Sequence, residues 1–201
     1  MGKNRSRRDD NLRRHIAYLA ARLMAEEGVA DYGTAKLKAA RQAGLLDAAL
    51  LPDNREIESA LREFQDLYQS DQQPLELRRL REVAVKVMRD FAEFRPALVG
   101  AVLNGTANQF SEVTLQLFTD DPKALTLFLL NRRYRFESDE RRVRIGDAWA
   151  DLPVVCLEVD RVPVRLTVYS RDDERQVPRQ RSEAEGPARA RLEEVEALLD
   201  A

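Results

Sequence analysis

The pattern of the chain changes within residues 97–118, which read ALVGAVLNGTANQFSEVTLQLF. The run Ala97–Leu103 is short and apolar, which predicts a buried strand. Residues 104–111 are small and polar and predict a loop. From Glu112 to Phe118 polar and apolar side chains alternate, and a period of two is typical of a strand with one buried face. We therefore expect Glu112, Thr114 and Gln116 to share the polar face of this strand.

Upstream of this stretch the apolar residues recur at helical spacing. Asp53 and Glu56 have the spacing of a capping box, which predicts that a helix begins directly after Asp53. Pro96 disfavours helical backbone at Arg95, so the helical region should end there. Three sets of apolar residues recur at this spacing, and each predicts one helix: Leu12, Ile16, Leu19 and Leu23; Ile57, Leu61, Phe64 and Tyr68; and Leu77, Leu80, Ala84, Val87, Phe91 and Phe94.

Downstream the pattern predicts one helix and then mostly strands. The helix should run from Asp121-Pro122 to about Arg132, and a final helix should begin near Pro187. The segment Glu137–Asp151 is charged and irregular and predicts no regular element. The strands expected are a short one at Tyr134–Phe136, then Val154–Val159 and Val162–Tyr169, the last two joined by a tight turn at Asp160-Arg161.

These elements predict an α+β fold, with an N-terminal helical region followed by a small mixed β-sheet that has helices packed on it. We expect three parts: a helical region at 1–70, an α+β domain at 71–170, and a polar linker with a C-terminal helix at 171–201.

The composition excludes several classes of protein. The 201 residues include 33 basic and 35 acidic side chains, a net charge of −2. With one cysteine, Cys156, and one histidine, His15, the chain has neither a disulfide framework nor a tetrahedral zinc site, and it leaves little for a Ser-His-Asp hydrolase. No apolar run approaches the ~20 residues of a membrane span. The first residues lead into an amphipathic pattern rather than a signal peptide, so we expect a cytoplasmic, bacterial-type protein without a membrane partner.

Two stretches carry local positive charge. Residues 1–14 hold six bases and two acids, a net charge of +4, and residues 132–144 hold six bases and three acids, a net charge of +3. Such clusters are compatible with a nucleic-acid surface, but the slightly acidic net charge of the whole chain favours solvated faces with local pairing. The second cluster consists of Arg132, Arg133, Arg135, Arg141, Arg142 and Arg144.

The most informative motif is Leu103-Asn104-Gly105-Thr106 followed by Ser111-Glu112-Val113-Thr114-Leu115. A glycine lets the backbone approach a phosphate closely, and a hydroxyl donates to phosphate oxygens. Side chains at i and i+2 of a strand share one face, where two acids can hold paired magnesium ions. The motif resembles the nucleotidyltransferase superfamily, whose signature is Gly-Ser, a short loop and Ser-Asp-x-Asp-Leu on a strand.

The resemblance covers about Leu75 to Tyr169 and implies a nucleoside triphosphate as ligand and Mg²⁺ as cofactor. Asn104, Gly105 and Thr106 would bind the phosphates, and Ser111 would shape the loop. Glu112 would be the first metal ligand.

The chain departs from the family pattern at the metal. Thr114 stands where the second acid is expected, and the strand that should carry a third acid offers Arg165 and Thr167. Glu158 or Asp160 could substitute, so the catalytic candidates are Glu112, Thr114, Glu158 and Asp160. We expect nucleotide binding with degenerate transfer chemistry.

Other interpretations of the same residues remain open. Gly105-Thr106 is also compatible with a plain turn, and Glu112 with a solvated charge. The alternative function is a non-catalytic adaptor whose N-terminal helices bind a protein partner or a second copy of the chain. A helix-turn-helix at residues 12–44 is the weakest alternative, because its second helix, expected from about Thr34 to Gly44, is short.

Overall fold

The computed structural model describes residues 2–44, 50–145, 148–176, 180–182, 186–187 and 189–200. The chain forms two compact units. One comprises residues 1–75 and the segment Asn108–Phe110, and the other comprises 76–107 and 111–201. Helices fill the first unit and a mixed sheet with helices forms the second, which confirms the predicted α+β class.

The described residues of the first unit include the helices α1 (Gly2–Glu27), α2 (Tyr32–Gln42) and α3 (Asn54–Tyr68). Alanines such as Ala20 and Ala39 are fully buried, which lets the helix backbones approach closely around Ile16 and Ile57. The predicted capping box is confirmed, since Glu56 N donates to Asp53 Oδ1 at 2.8 Å and Asp53 N donates to Glu56 Oε2 at 2.7 Å.

The second unit has one five-stranded sheet with the strand order β1-β2-β5-β4-β3. Neighbours β2 and β5 run parallel, and every other neighbouring pair is antiparallel. The strands are β1 (Ala97–Val99), β2 (Val113–Phe118), β3 (Phe136–Ile145), β4 (Ala148–Val159) and β5 (Val162–Tyr169). The helices are α4 (Gln73–Asp90), α5 (Ala101–Asn104), α6 (Pro122–Asn131), α7 (Asp173–Gln176) and α8 (Leu192–Asp200), and β6 (Gln180–Ser182) pairs with β7 (Gly186–Pro187).

One face of the sheet carries the main core of this unit. Val113, Leu115 and Leu166 are fully buried there, in the same cluster as residues of α4, α6 and α8. Because side chains alternate along a strand, the polar side chains of β2 and β5 lie on the other face.

Four predicted segments differ in the structure. The predicted strand Ala97–Leu103 is wrong beyond Val99, because Gly100 takes φ +77° and ψ −155° and the chain continues as the short helix α5. Where the structure describes it, the segment Glu137–Asp151 is not irregular, because residues 137–145 lie in β3 and residues 148–151 lie in β4, and the short strand expected at Tyr134 begins at Phe136. The last helix begins at Leu192 rather than Pro187, since Glu194 Oε2 accepts from Arg191 N at 2.6 Å and caps that end.

Candidate functional site

The candidate site lies where β2 and β5 run side by side. Thr114 is paired in register with Arg165 across these two parallel strands. The residues on either side of them, Val113 and Val164 among them, are buried in the core. Thr114 and Arg165 are both only partly buried and point to the face away from that core. The strands therefore bring together the hydroxyl of Thr114 and the guanidinium of Arg165 on one face.

Glu112 is bound to Arg165. Nε of Arg165 lies 2.8 Å from Oε1 of Glu112, and the side chains are 36% and 34% exposed, respectively. The Nε–H direction misses the oxygen, so the contact is an ion pair without hydrogen-bond geometry. The carboxylate predicted to hold a metal is thus neutralised by a neighbouring guanidinium.

Gly100 is the glycine that lies beside Thr114. It follows Val99, which is paired with Thr114 across β1 and β2. A Cβ at Gly100 would stand 4.0 Å from Thr114 Oγ1, and φ is +77° there. The predicted strand Ala97–Leu103 ran through Gly100, so this glycine was not among the predicted site residues. A glycine directly after a three-residue apolar run was the available signal.

The predicted phosphate residues lie elsewhere, against α4. Asn104 ends α5 and Gly105 is its C-cap with φ +84°. A Cβ at Gly105 would stand 3.8 Å from Arg81 Nη2, and Thr106 is 3% exposed. The backbone N–H of Thr106 donates to the carbonyl of Ala101 at 3.0 Å. Asn104, Gly105 and Thr106 therefore form the C-terminal end of α5, where their backbone caps the helix.

Arg81 holds this end of α5 in place. Its Nε donates to the carbonyl of Val102 at 3.3 Å, and its Nη1 donates to the carbonyl of Leu198 at 3.2 Å. Burial lowers the pKa of the Arg81 guanidinium. Arg81 thus connects α4, α5 and α8 in the second unit.

The loop that was expected to follow Thr106 is divided between the two units. Asn108–Phe110 belongs to the first unit, where Asn108 Nδ2 donates to the carbonyl of Met24 at 3.1 Å. Ser111 belongs to the second unit and is half-buried directly before Glu112. Of the predicted loop residues, Ser111 is therefore the one that lies next to Glu112, just before β2 begins.

Of the two substitute acids, Glu158 lies on this face and Asp160 does not. Glu158 on β4 is paired with Pro163 on β5. The pairing of β2 with β5 begins at Val113 and Val164, so the residues one position earlier, Glu112 and Pro163, are also opposite each other. Glu112 and Glu158 therefore lie on either side of Pro163. Two strand spacings then separate the two glutamates, roughly 10 Å. The Asp160 carboxylate instead accepts a hydrogen bond from Lys86 Nζ of α4 at 2.7 Å. The backbone carbonyl of Asp160 accepts one from Arg79 Nη2 at 3.2 Å.

The residues at this face do not fit a paired-magnesium site. Mg²⁺ prefers carboxylate oxygens, but Thr114 offers a neutral hydroxyl and Glu112 faces a guanidinium. A cation at position 165 repels a second cation nearby. Among the residues that the structure describes, no three side chains of His, Cys, Asp or Glu are grouped to hold a metal ion.

The described arginines of the basic cluster at 132–144 have different local surroundings. Arg132 lies 3.7 Å from Asp90 and 5.4 Å above the ring of Phe128. Arg141 and Arg142 are consecutive on β3 and point to opposite faces, and only Arg142 lies over Trp149, at 5.9 Å. Arg133 and Arg135 are exposed, and the side chain of Arg144 lies outside the described residues.

The comparisons with known proteins identify no family for this chain. No protein-family model, no curated protein and no solved structure matches it. Across the ranges that the structure describes, no helix combines the length and the apolar character needed to cross a membrane.

Proposed function

We propose that this chain is a nucleotidyltransferase-like protein that binds a nucleoside triphosphate and has lost metal-dependent transfer chemistry. The observation that supports the proposal is the parallel β2–β5 pair. It sets Glu112, Thr114 and Arg165 on one sheet face. The resemblance implies an acidic trio on two neighbouring strands, and here a hydroxyl and a guanidinium replace two of its members.

The residues at this face suit binding rather than transfer. Arg165 can donate charge-assisted hydrogen bonds to phosphate oxygens, and Thr114 can donate a neutral one. Gly100 has no side chain to fill the space beside Thr114, so a ligand could approach the backbone there. A single ion-paired carboxylate does not form a two-metal clamp for displacement at phosphorus.

The test of this proposal is thermal stability of the full chain with ATP, GTP, CTP or UTP, each with and without magnesium. A ligand that binds only the native state stabilises it by about 2.7 kcal/mol at a hundred times its Kd. We expect at least one nucleotide to raise the midpoint, and Thr114→Val to reduce the shift by removing the hydroxyl at nearly constant volume.

The matched control is Thr126→Val, which removes a threonine hydroxyl on the exposed side of α6. It should leave the nucleotide shift unchanged. Absence of a shift with all four nucleotides, with and without magnesium, would contradict the proposal.

A second candidate function is self-association through the first unit. Tyr18 of α1 and Tyr68 of α3 flank Phe64, with ring centroids 6.0 and 4.8 Å from its own. Both tyrosines are large and accessible, 40% and 65% exposed, respectively. Aromatic side chains are enriched at protein interfaces, which favours this patch as a contact surface.

Self-association is tested by sedimentation equilibrium over a wide range of chain concentration. We expect the average mass to rise with concentration, and Tyr68→Ser to weaken that rise. The control is Leu130→Ser, which removes an exposed apolar side chain from the second unit. A monomer at every concentration would contradict the second candidate.

A further inference from the structure

Arg165 is the one basic residue among the five that are paired across the sheet in line with Thr114. Its guanidinium has N–H donors that the ion pair with Glu112 does not use. The row across the sheet reads Val99, Thr114, Arg165, Cys156 and Glu137. The ion pair with Glu112 uses Nε, at 2.8 Å. A guanidinium carries five N–H donors, and its planar fork binds phosphate in a bidentate manner. The side chain is 36% exposed, so a ligand on this face can reach it.

We propose that Arg165 is the phosphate-binding cation of this face, that Glu112 is its internal competitor, and that binding is therefore independent of magnesium. This inference rests on the proposed function and specifies how its site recognises a triphosphate. The ligand class is a polyphosphate anion without a bound metal ion.

The electrostatics explain the competition. The Glu112 carboxylate lies against Nε and screens the positive charge of the guanidinium, so a phosphate that binds Arg165 has to compete with Glu112 or displace it. Displacement is inexpensive, because Glu112 is 34% exposed and partly exposed ion pairs contribute little. A magnesium ion on the phosphates would neutralise the charge that Arg165 recognises and would itself be repelled by the guanidinium.

The competitor role gives Glu112→Gln a sign opposite to that of a metal-ligand role. If Glu112 held a metal ion, loss of its charge would weaken nucleotide binding. If Glu112 competes with phosphate for Arg165, loss of its charge strengthens binding. Glutamine keeps the shape of the side chain, so the charge is the only large change.

The experiment is isothermal titration calorimetry of the full chain with ATP and, separately, with inorganic tripolyphosphate, each in EDTA and in excess Mg²⁺. We expect ATP binding in EDTA at least as tight as in magnesium. Glu112→Gln should tighten it about twofold to fivefold, the range that a partly exposed ion pair gives. Arg165→Gln should weaken it about tenfold or more, because charged hydrogen bonds to the phosphate are lost.

Two further variants keep the test decisive. Glu158→Gln removes a carboxylate from the same sheet face and should change the affinity less than Glu112→Gln does. Arg165→Lys keeps the charge without the fork, so it should bind with an affinity between those of wild type and Arg165→Gln. Far-UV circular dichroism and the melting temperature show whether each variant is folded, and Glu112→Gln alone decides the sign if Arg165→Gln does not fold.

The outcomes separate this inference from the proposed function. ATP binding that requires magnesium and is lost in Glu112→Gln would overturn the inference and leave the proposed function standing. Tripolyphosphate binding through Arg165, with no nucleotide bound more tightly, would support the phosphate site and overturn nucleotide recognition. Failure of every anion to bind in either buffer would overturn both.

Discussion

At the scale of single residues, Tyr134 shows how one buried contact makes stability depend on pH. Its hydroxyl donates to Asp90 Oδ2 at 2.5 Å, and its ring lies 5.5 Å from that of Phe91. Burial, and then the hydrogen bond to Asp90, raise the pKa of Tyr134 to about 12. The ordinary tyrosine pKa of about 10 applies to the unfolded chain. The stabilisation is therefore complete below about pH 10 and is lost as the pH rises towards about 12.

The corresponding variant is Tyr134→Phe. At pH 8 we expect it to unfold about 1 kcal/mol more easily than wild type, because it lacks the hydrogen bond to Asp90. The difference between the two proteins should shrink between pH 10 and 12, where only wild type carries this ionisation. Urea unfolding at pH 8, 10.5 and 11.5 measures both curves. A difference that stays constant across this range would show that Tyr134 does not titrate as described.

One part of the candidate site could be predicted from the sequence, the polar face of β2, and another could not, the contact of Glu112 with Arg165. Alternation along β2 predicted that Glu112 and Thr114 share a polar face, and the burial of Val113 and Leu115 agrees with it. The contact between Glu112 and Arg165 depends on which strand lies beside β2. That pairing joins segments about fifty residues apart, and local periodicity carries no information about it.

At the scale of elements, the β4–β5 turn offers a stabilising substitution. Asp160 and Arg161 form a two-residue connection with φ of +51° and +63°, and Val159 is paired with Val162. Turns with two positive φ values favour Asn-Gly and Asp-Gly, because a side chain at the second position is strained. We expect Arg161→Gly to raise the free energy of unfolding by up to about 1 kcal/mol, reduced by the greater unfolded-state entropy of glycine.

The opposite change provides the control for this turn. Arg161→Val puts a β-branched side chain at a positive φ and should destabilise the hairpin. Denaturant midpoints of the two variants and wild type give the order. Equal midpoints for the glycine and valine variants would mean that the turn conformation contributes nothing to stability.

The strands that the sequence predicted each have one buried face, whereas residues 137–142 in the missed part of β3 have none. The strands at Val162–Tyr169 and Val113–Phe118 alternate clearly because one side of each is in the core. Along β3 the side chains from Glu137 to Arg142 are exposed on both sides, so no period of two appears. Charges on an edge strand also discourage pairing with other chains, which explains why such a sequence can still form a strand.

At the scale of the whole molecule, the division into units depends on which side chains meet. Residues 108–110 join the first unit, where Asn108 donates to the carbonyl of Met24 although 84 positions separate the two residues. Phe110 lies beside Gly28 in the same unit, and a Cβ there would stand 2.9 Å from Phe110 Cγ. Composition could predict a small polar loop but not its destination, because both contacts are long-range.

Because each unit has its own hydrophobic core, we expect mutations and ligands to change the unfolding transition of one unit without changing that of the other. Ile57 is fully buried in the first unit and Leu166 in the second. We expect calorimetry to resolve two unfolding transitions, with Ile57→Ala lowering one and Leu166→Ala the other, each by about 2–5 kcal/mol. Since Glu112, Thr114 and Arg165 all belong to the second unit, a bound nucleotide should raise only the transition that Leu166→Ala lowers.

The matched comparison is Glu112→Gln with and without ATP in EDTA. Its ligand-dependent shift should exceed that of wild type in the same transition, because the competitor for Arg165 has lost its charge. The transition that Ile57→Ala lowers should stay where it was. A single transition that both alanine variants and the nucleotide move together would mean that the two cores unfold as one, and that stability is shared across the chain rather than held by each unit.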